Sequence, residues 1–174
     1  EPLLLERYRL ALSHADAFIA ISEHTRQGFC RMGVDKSRIR EIPNGVDLGT
    51  FARRVERPAT LPDTGEYVLF LGRLETRKGV HVLLEAWAQL RANRNVTLLI
   101  AGDGSQRSNL ERQASAARLE RVRFLGTCTG KTKKYLLQNA IACVVPSVGW
   151  ESFGLTVIEA QAAARAVICS DLQG

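Results

Sequence analysis

From Tyr67 onward the chain alternates short β-branched apolar runs with helical patterns, and that alternation leaves few folds open. Tyr67-Val68-Leu69-Phe70-Leu71, Val96-Thr97-Leu98-Leu99-Ile100, Val122-Arg123-Phe124-Leu125, Ile141 to Val145 and Ala166-Val167-Ile168-Cys169 read as strands. Gly79 to Arg91, Ser105 to Leu119, Thr132 to Asn139 and Leu155 to Ala164 read as the helices between them. The first of these helices would place Val82, Leu83, Ala86, Trp87 and Leu90 on one face. Continuously apolar strands are covered on both sides. The pattern therefore predicts βαβ units in an α/β fold: a Rossmann-like parallel sheet with helices on both faces. Right-handed crossovers then put every strand-to-helix loop on one edge.

Upstream the pattern is broken. Leu3, Leu4, Leu5, Tyr8, Leu10 and Leu12 among charges predict a helix over Glu1 to Ser13. Ala17 to Ile21 reads as a strand. Ser22 is placed to cap a helix that runs to about Met32 and stops at Gly33. Arg38 to Ile42 reads as a short strand ending in a Pro43-Asn44-Gly45 turn. Val46 to about Gly65 lacks useful periodicity and reads as a connector. The expected organisation is residues 1–47 as the remnant of one domain, 48–65 as the connector and 66–174 as a second domain. The chain opens abruptly in helical sequence and ends at Gly174 just after a strand, so it is expected to be a fragment truncated at both ends.

Composition narrows the partners. The 174 residues suit one domain with part of another. A net charge of +6 favours anions: nucleotide phosphates, acidic lipid surfaces or nucleic acid. The alternative is a merely basic surface. Cys30, Cys128, Cys143 and Cys169 form no C-x-x-C pair and have no His at metal-ligand spacing. Cys143 and Cys169 sit in strand-like runs and look like core residues. A reducing cytosol is the expected compartment. No run approaches the roughly 18 apolar residues that span a bilayer.

Four loops would share the sheet edge. Gly72 to Gly79 carries Arg73, whose planar fork can hold phosphate, and Lys78 at a helix start, where a cation is unfavourable without a compensating anion. A solvated charge run is the bland alternative. In Ala101-Gly102-Asp103-Gly104-Ser105-Gln106-Arg107, Arg107 stands where a dinucleotide fingerprint needs its third glycine. That loop reads instead as a tight turn letting a ligand come close at Gly102 and Gly104. Gly126-Thr127-Cys128-Thr129-Gly130-Lys131 suits backbone hydrogen bonding. In Glu151 to Glu159 a loop meets a helix start, with amides of Phe153, Gly154 and Leu155 free for an anion. Glu151 could be a first-turn acid that stabilises the helix dipole, and Glu159 an exposed residue. The helix around Glu159 is apolar nearly all round, however, and a carboxylate there needs a partner. Cations to balance a diphosphate and carboxylates to accept sugar hydroxyls together imply a nucleotide diphosphate-sugar.

Five segments in order resemble one family. Ile42 to Asp47 with Phe51, Leu71 to Gly79, Leu99 to Gly104, Val122 to Gly126, and Glu151-Ser152-Phe153-Gly154-Leu155 through Glu159-Ala160 (a Glu-x7-Glu motif) are similar to retaining nucleotide-sugar glycosyltransferases of the GT-B fold, family 4. The resemblance implies that this chain is mainly the C-terminal, donor-binding half of such an enzyme. Arg73 and Lys78 would hold the diphosphate and stabilise the departing charge, and Glu151 would face the donor sugar. Glu159 would bind the ribose, while Gly72, Phe153, Gly154, Leu155 and the loops at Gly102, Gly104, Gly126 and Thr127 would line the donor. The reaction would transfer a sugar with retention of configuration, using no metal and no cofactor. Expected partners are a nucleotide-sugar, a glycan, lipid-linked or small-molecule acceptor, and the inner face of a membrane, but no nucleic acid. Arg165 and Ala166 stand where the family usually has Gly and Pro. The acceptor site would lie in the absent part of the first domain, so this fragment alone is expected to be a donor-binding module. Rival readings are a non-catalytic nucleotide or sugar-phosphate binding domain of the same fold, a dehydrogenase and a glycosidase. The missing third glycine argues against the dehydrogenase. A glycosidase has no use for a phosphate-binding Arg and Lys.

Overall fold

A computed structural model describes residues 10–63, 65–90 and 95–172. The predicted helix over Glu1 to Ser13 lies mostly outside them; residues 10–14 are helical. A small parallel pair follows, β1 (Phe18–Ala20) beside β2 (Ile39–Glu41). Between them runs α1 (Glu23–Arg31), capped as expected: Ser22 Oγ accepts from the Thr25 amide at 3.2 Å. The helix is over by Gly33, whose φ is 85°. Phe18 and Phe29 pack 5.2 Å apart against Ala20, Val34 and Ile39.

Two upstream expectations change. Pro43-Asn44-Gly45 forms no turn; residues 42–47 run without regular structure. The supposed connector contains a helix, α2 (Leu48–Ala52), whose N-cap Asp47 accepts from the Gly49 amide at 2.8 Å. Phe51 and buried Leu61 pack into the main core, and Gln138 ties the segment down through the carbonyls of Phe51 and Arg53. Five residues are too few for a periodic signal, so the pattern missed this helix.

The remaining elements are β3 (Tyr67–Leu71), α3 (Val80–Gln89), β4 (Thr97–Ala101), α4 (Arg107–Ala116), β5 (Val122–Gly126), α5 (Gly130–Asn139), β6 (Ala142–Val145), α6 (Leu155–Ala162) and β7 (Ala166–Cys169). They build one wholly parallel sheet in the order β5-β4-β3-β6-β7. Period-two alternation splits its side chains between two cores. Tyr67, Leu69, Leu99 and Cys143 pack against Leu136, Leu137 and Ala160 of α5 and α6. Phe70, Leu98 and Ile100 pack against Val80, Leu83, Leu84 and Leu110 of α3 and α4. The inward face of α3 is therefore Val80, Leu83 and Leu84, while Val82, Ala86 and Leu90 are exposed. Cys169 is also exposed, because β7 pairs with β6 on one side and carries few buried side chains.

The chain builds outward from β3 to β5, returns to place β6 on the other side of β3, and continues to β7. The strand order reverses at β3/β6. That seam has two paired positions, Val68 with Ala142 and Leu69 with Cys143, against five along β3/β4. Beyond Leu69 the two strands part and a crevice opens between their carboxyl ends. Ligands of open α/β sheets bind at such a reversal.

Two helices end in the same way on non-glycine residues. After α6, the Ala164 amide bonds Gln161 O at 2.8 Å and the Arg165 amide bonds Ala160 O at 2.9 Å. Ala164, not Arg165, takes the left-handed conformation, at φ 56°. After α4, Arg118 does the same at φ 52°. A side chain in that conformation costs roughly 1–2 kcal/mol, less what glycine loses in chain entropy. Ala164→Gly and Arg118→Gly are each expected to raise the melting temperature by about 2 °C, and the pair additively. Thermal melts followed by circular dichroism that show no gain would refute this account of the turns.

Candidate functional site

At the reversal lies a cleft of about 310 Å³. Its floor is the parted strand ends, Phe70, Leu71 and Val145; its walls include Gly72, Arg73, Lys78, Glu151, Phe153, Gly154 and Leu155. Ile21 and Asn44 reach it from the N-terminal segment, and Ser22 Oγ donates to Ser152 O at 3.1 Å. An adjoining recess of about 250 Å³ shares Leu71, Gly72, Arg73 and Thr156, and adds Gly102, Asp103, Thr127, Cys128 and Lys133. Expected residues from all four loops thus meet around two adjoining spaces, though Glu159 lines neither.

Close backbone contact makes this possible. A Cβ on Gly79 (φ 69°) would lie 1.8 Å from Pro146 O, and one on Gly102 would lie 1.8 Å from Gly72 O. These glycines therefore let loops touch each other. Gly104 and Gly126 line neither space. Gly104 fits against Leu74, and the Gly126 carbonyl accepts from the Gly102 amide at 2.7 Å. Arg107, where a third glycine was missing, opens α4 and is paired with Asp103 and Glu111, each at 2.9 Å.

Each carboxylate of the motif has a lysine. Glu151, outside the helix, pairs with Lys78, and both side chains are about four-fifths buried. Glu159, inside α6, meets Lys133 Nζ at 2.7 Å. The expectation that Glu159 needs a partner is met, but by a residue assigned no role in the sequence. Lys133 sits 26 positions earlier, on the first turn of α5, and only the α5/α6 packing brings the two together. Arg73 is exposed and, among the described residues, has no acidic partner. The amides of Phe153, Gly154 and Leu155 find no acceptor among the described residues, because Gly154 starts α6 without a side-chain cap. A cleft with a free guanidinium and open helix-start amides is set to receive an anion.

Burial pushes the Glu151 carboxyl up, but the Lys78 hydrogen bond and charge, the Arg77 charge and the Ser147 hydroxyl outweigh it, and the group sits below its ordinary value. Burial alone raises the Cys128 thiol in the adjoining recess. Among the described residues no cluster of three or more His, Cys, Asp or Glu side chains could hold a metal, and no helix is long and apolar enough to cross a membrane.

A doubly wound sheet with an anion-ready cleft at its reversal defines a domain of the nucleotide- and phosphate-binding class. More narrowly, the chain belongs to the family described as glycosyl transferases group 1, whose profile matches residues 52–174; that of glycosyltransferase family 4 matches residues 1–50. The GT-B, family 4 assignment made on the motifs therefore stands. The chain is 42% identical over 136 residues to the phosphatidyl-myo-inositol mannosyltransferase of Mycolicibacterium smegmatis, covering 76% of this chain and 34% of that protein. It is 38% identical over 144 residues to the glycogen synthase of Mycobacterium tuberculosis, covering 82% and 34%. Anabaena HepE, solved with UDP and glucose, superposes with a TM-score of 0.81 at 25% identity over 95% of this chain and 47% of that one. Sucrose-phosphate synthase from Thermosynechococcus elongatus gives 0.78 at 30% identity over 100% and 45%. The chain spans about a third of the length of the curated relatives it matches.

The Lys78–Glu151 pair has a testable pH signature. A carboxyl held below its ordinary value adds stability that is fully present above its unfolded pKa, about 4.3, and is lost as pH falls through the lower folded value. Glu151→Gln should melt roughly 1–4 °C below the wild type at pH 7, with the gap closing below about pH 4. Melts across that range showing a constant gap would remove the pair as its source.

Proposed function

We propose that the full-length protein transfers a sugar from a nucleotide diphosphate-sugar to an acceptor with retention of configuration, and that this chain carries the donor site. The observation that carries the reading is the switch-point cleft, where Arg73, Lys78, the open amides of Phe153 to Leu155, Glu151 and Gly72 converge. Arg73 and Lys78 hold the diphosphate, and their charges stabilise the negative charge that grows on the leaving group. Because these cations neutralise the diphosphate, the reaction runs without a metal or other cofactor. Glu151, released from Lys78, faces the sugar. The adjoining recess takes the nucleoside, with the backbone around Gly102 and Thr127 lining the base; Glu159, which pairs with Lys133 on the recess wall, takes the ribose hydroxyls. HepE solved with UDP and glucose, and the mannosyltransferase and glycogen synthase relatives, support this choice of ligand.

Residues 1–47 belong to an acceptor-binding domain, 48–65 link it, and 66–174 form the donor domain. Residues 42–47, without regular structure beside the cleft, serve as the hinge for closure. The acceptor is a glycan, a lipid-linked or a small molecule, and the +6 charge suits work on the cytosolic face of an anionic membrane.

Calorimetric titration with UDP, GDP and ADP, each beside its sugar conjugates, tests the reading. One nucleotide should bind saturably, unchanged by EDTA. Arg73→Ala/Lys78→Ala, checked for folding, should weaken it at least about a hundredfold, the least expected from two lost charged hydrogen bonds. Binding that survives the double substitution would place the diphosphate elsewhere. Transfer by residues 1–174 alone would overturn the division of labour between domains.

A further inference from the structure

The mechanism above leaves Arg77 unused, yet it is one of the residues through which the two halves of the cleft are joined. Its carbonyl accepts from the Val148 amide at 2.9 Å and the Gly149 amide at 3.2 Å. Its guanidinium reaches over the same loop, and Nη1 donates to Trp150 O at 2.9 Å. Gly149 fits under it because a Cβ there would come within 2.9 Å of Arg77 Cβ. Arg77 thus holds three successive residues, Val148 and Gly149 through its backbone carbonyl and Trp150 through its side chain. The next residue is Glu151, and the next residue on its own side is Lys78. The contacts fasten the loop immediately before the carboxylate to the turn immediately before the cation. Arg77 also lines the cleft.

We propose that Arg77 is a positioning residue: it clamps the 148–150 loop so that Glu151 keeps its place against the donor sugar after Lys78 has been given up to the diphosphate. This rests on the donor-site reading above. In this structure the Lys78–Glu151 pair itself holds the carboxylate. Once phosphate claims Lys78, that tether is gone and the Arg77 contacts remain. The Val148 and Gly149 bonds run from backbone to backbone, which a ligand anion does not displace, and Trp150 O keeps the guanidinium engaged. The clamp therefore matters to the sugar and not to the diphosphate, which meets Arg73, Lys78 and the helix-start amides whether or not the loop is held.

The test uses the full-length protein with Arg77→Met and Arg77→Lys. Amide exchange at Val148 and Gly149 should quicken at least about tenfold in Arg77→Met. Affinity for the cognate nucleoside diphosphate should change no more than about twofold, while affinity for its sugar conjugate falls about tenfold. Arg77→Lys, which keeps a donor long enough to reach Trp150 O, should recover most of both effects. Unchanged exchange in Arg77→Met, or equal losses for the nucleotide and its sugar conjugate, would overturn the proposal; equal losses are what a merely structural role predicts. A wild type that binds no nucleoside diphosphate would overturn the donor-site reading and the sugar-specific consequence with it. The exchange measurement separates that failure from a failure of the clamp.

Discussion

Two carbonyl oxygens at the carboxyl edge of the sheet lie where side chains would otherwise be. Pro146 O occupies the space of a Cβ on Gly79, and Gly72 O that of one on Gly102. The loop after β3 is thereby packed on both sides, against the loop after β4 and against the loop after β6. Leu74, fully buried, anchors its middle: its amide donates to Asp103 O at 2.8 Å, and its carbonyl accepts from the Gln106 amide at 2.9 Å. A backbone held this closely has little freedom left, so Arg73, Arg77 and Lys78 are presented from a rigid turn. The alternative, a mobile charged loop, would have to order itself on ligand binding and would lose affinity to that entropy.

The charge arrangement follows from the same packing. Lys78 and Lys133 are held by carboxylates that the motif assigns to sugar and ribose, and Arg73 is left to solvent. A half-buried lysine without a partner would be costly, and so would a half-buried glutamate. Pairing each with the other compensates both charges where they are buried. In the proposed donor site an arriving diphosphate would meet Arg73 and the open amides, and would then compete with Glu151 for Lys78. That exchange would leave the carboxylate free beside the sugar. On that proposal the ion pair is compatible with function because its two members have different destinations.

What could be read from the sequence was local. Runs such as Leu98-Leu99-Ile100 declared buried strands, and their helices followed within a few residues of their observed ends. Ser22 and Gly33 marked the bounds of α1 because caps are made by neighbours in the chain. The motif loops were also found, since right-handed crossovers force them to one edge. Misses came where the deciding contact was distant. The α3 stripe was drawn through Val82 and Leu90, and only packing on α4 selects Val80 and Leu84 instead. The sequence singles out Arg165, in the family's usual glycine position before β7, while the hydrogen bonds put the left-handed residue at Ala164. Lys133 and Arg77 carried no signal, because their partners are 26 and 73 positions away.

The location of the site explains why those distant contacts matter most. Its two halves come from residues 72–79 and 146–155, on strands that become neighbours only when the chain returns past β5 to lay β6 beside β3. That seam has the shorter ladder, two paired positions against five on the other side of β3. The short ladder opens the crevice, but it also leaves the seam weakly joined by backbone bonds. Other contacts make up the difference across it: Thr156 Oγ1 on Leu71 O at 3.2 Å, the Arg77 bonds and the Lys78–Glu151 pair. Several of these belong to the site itself. The residues that would hold a ligand are therefore among those that hold the sheet together at its reversal. A ligand bridging both loops would add its binding energy to that seam and stabilise the fold in proportion to its occupancy.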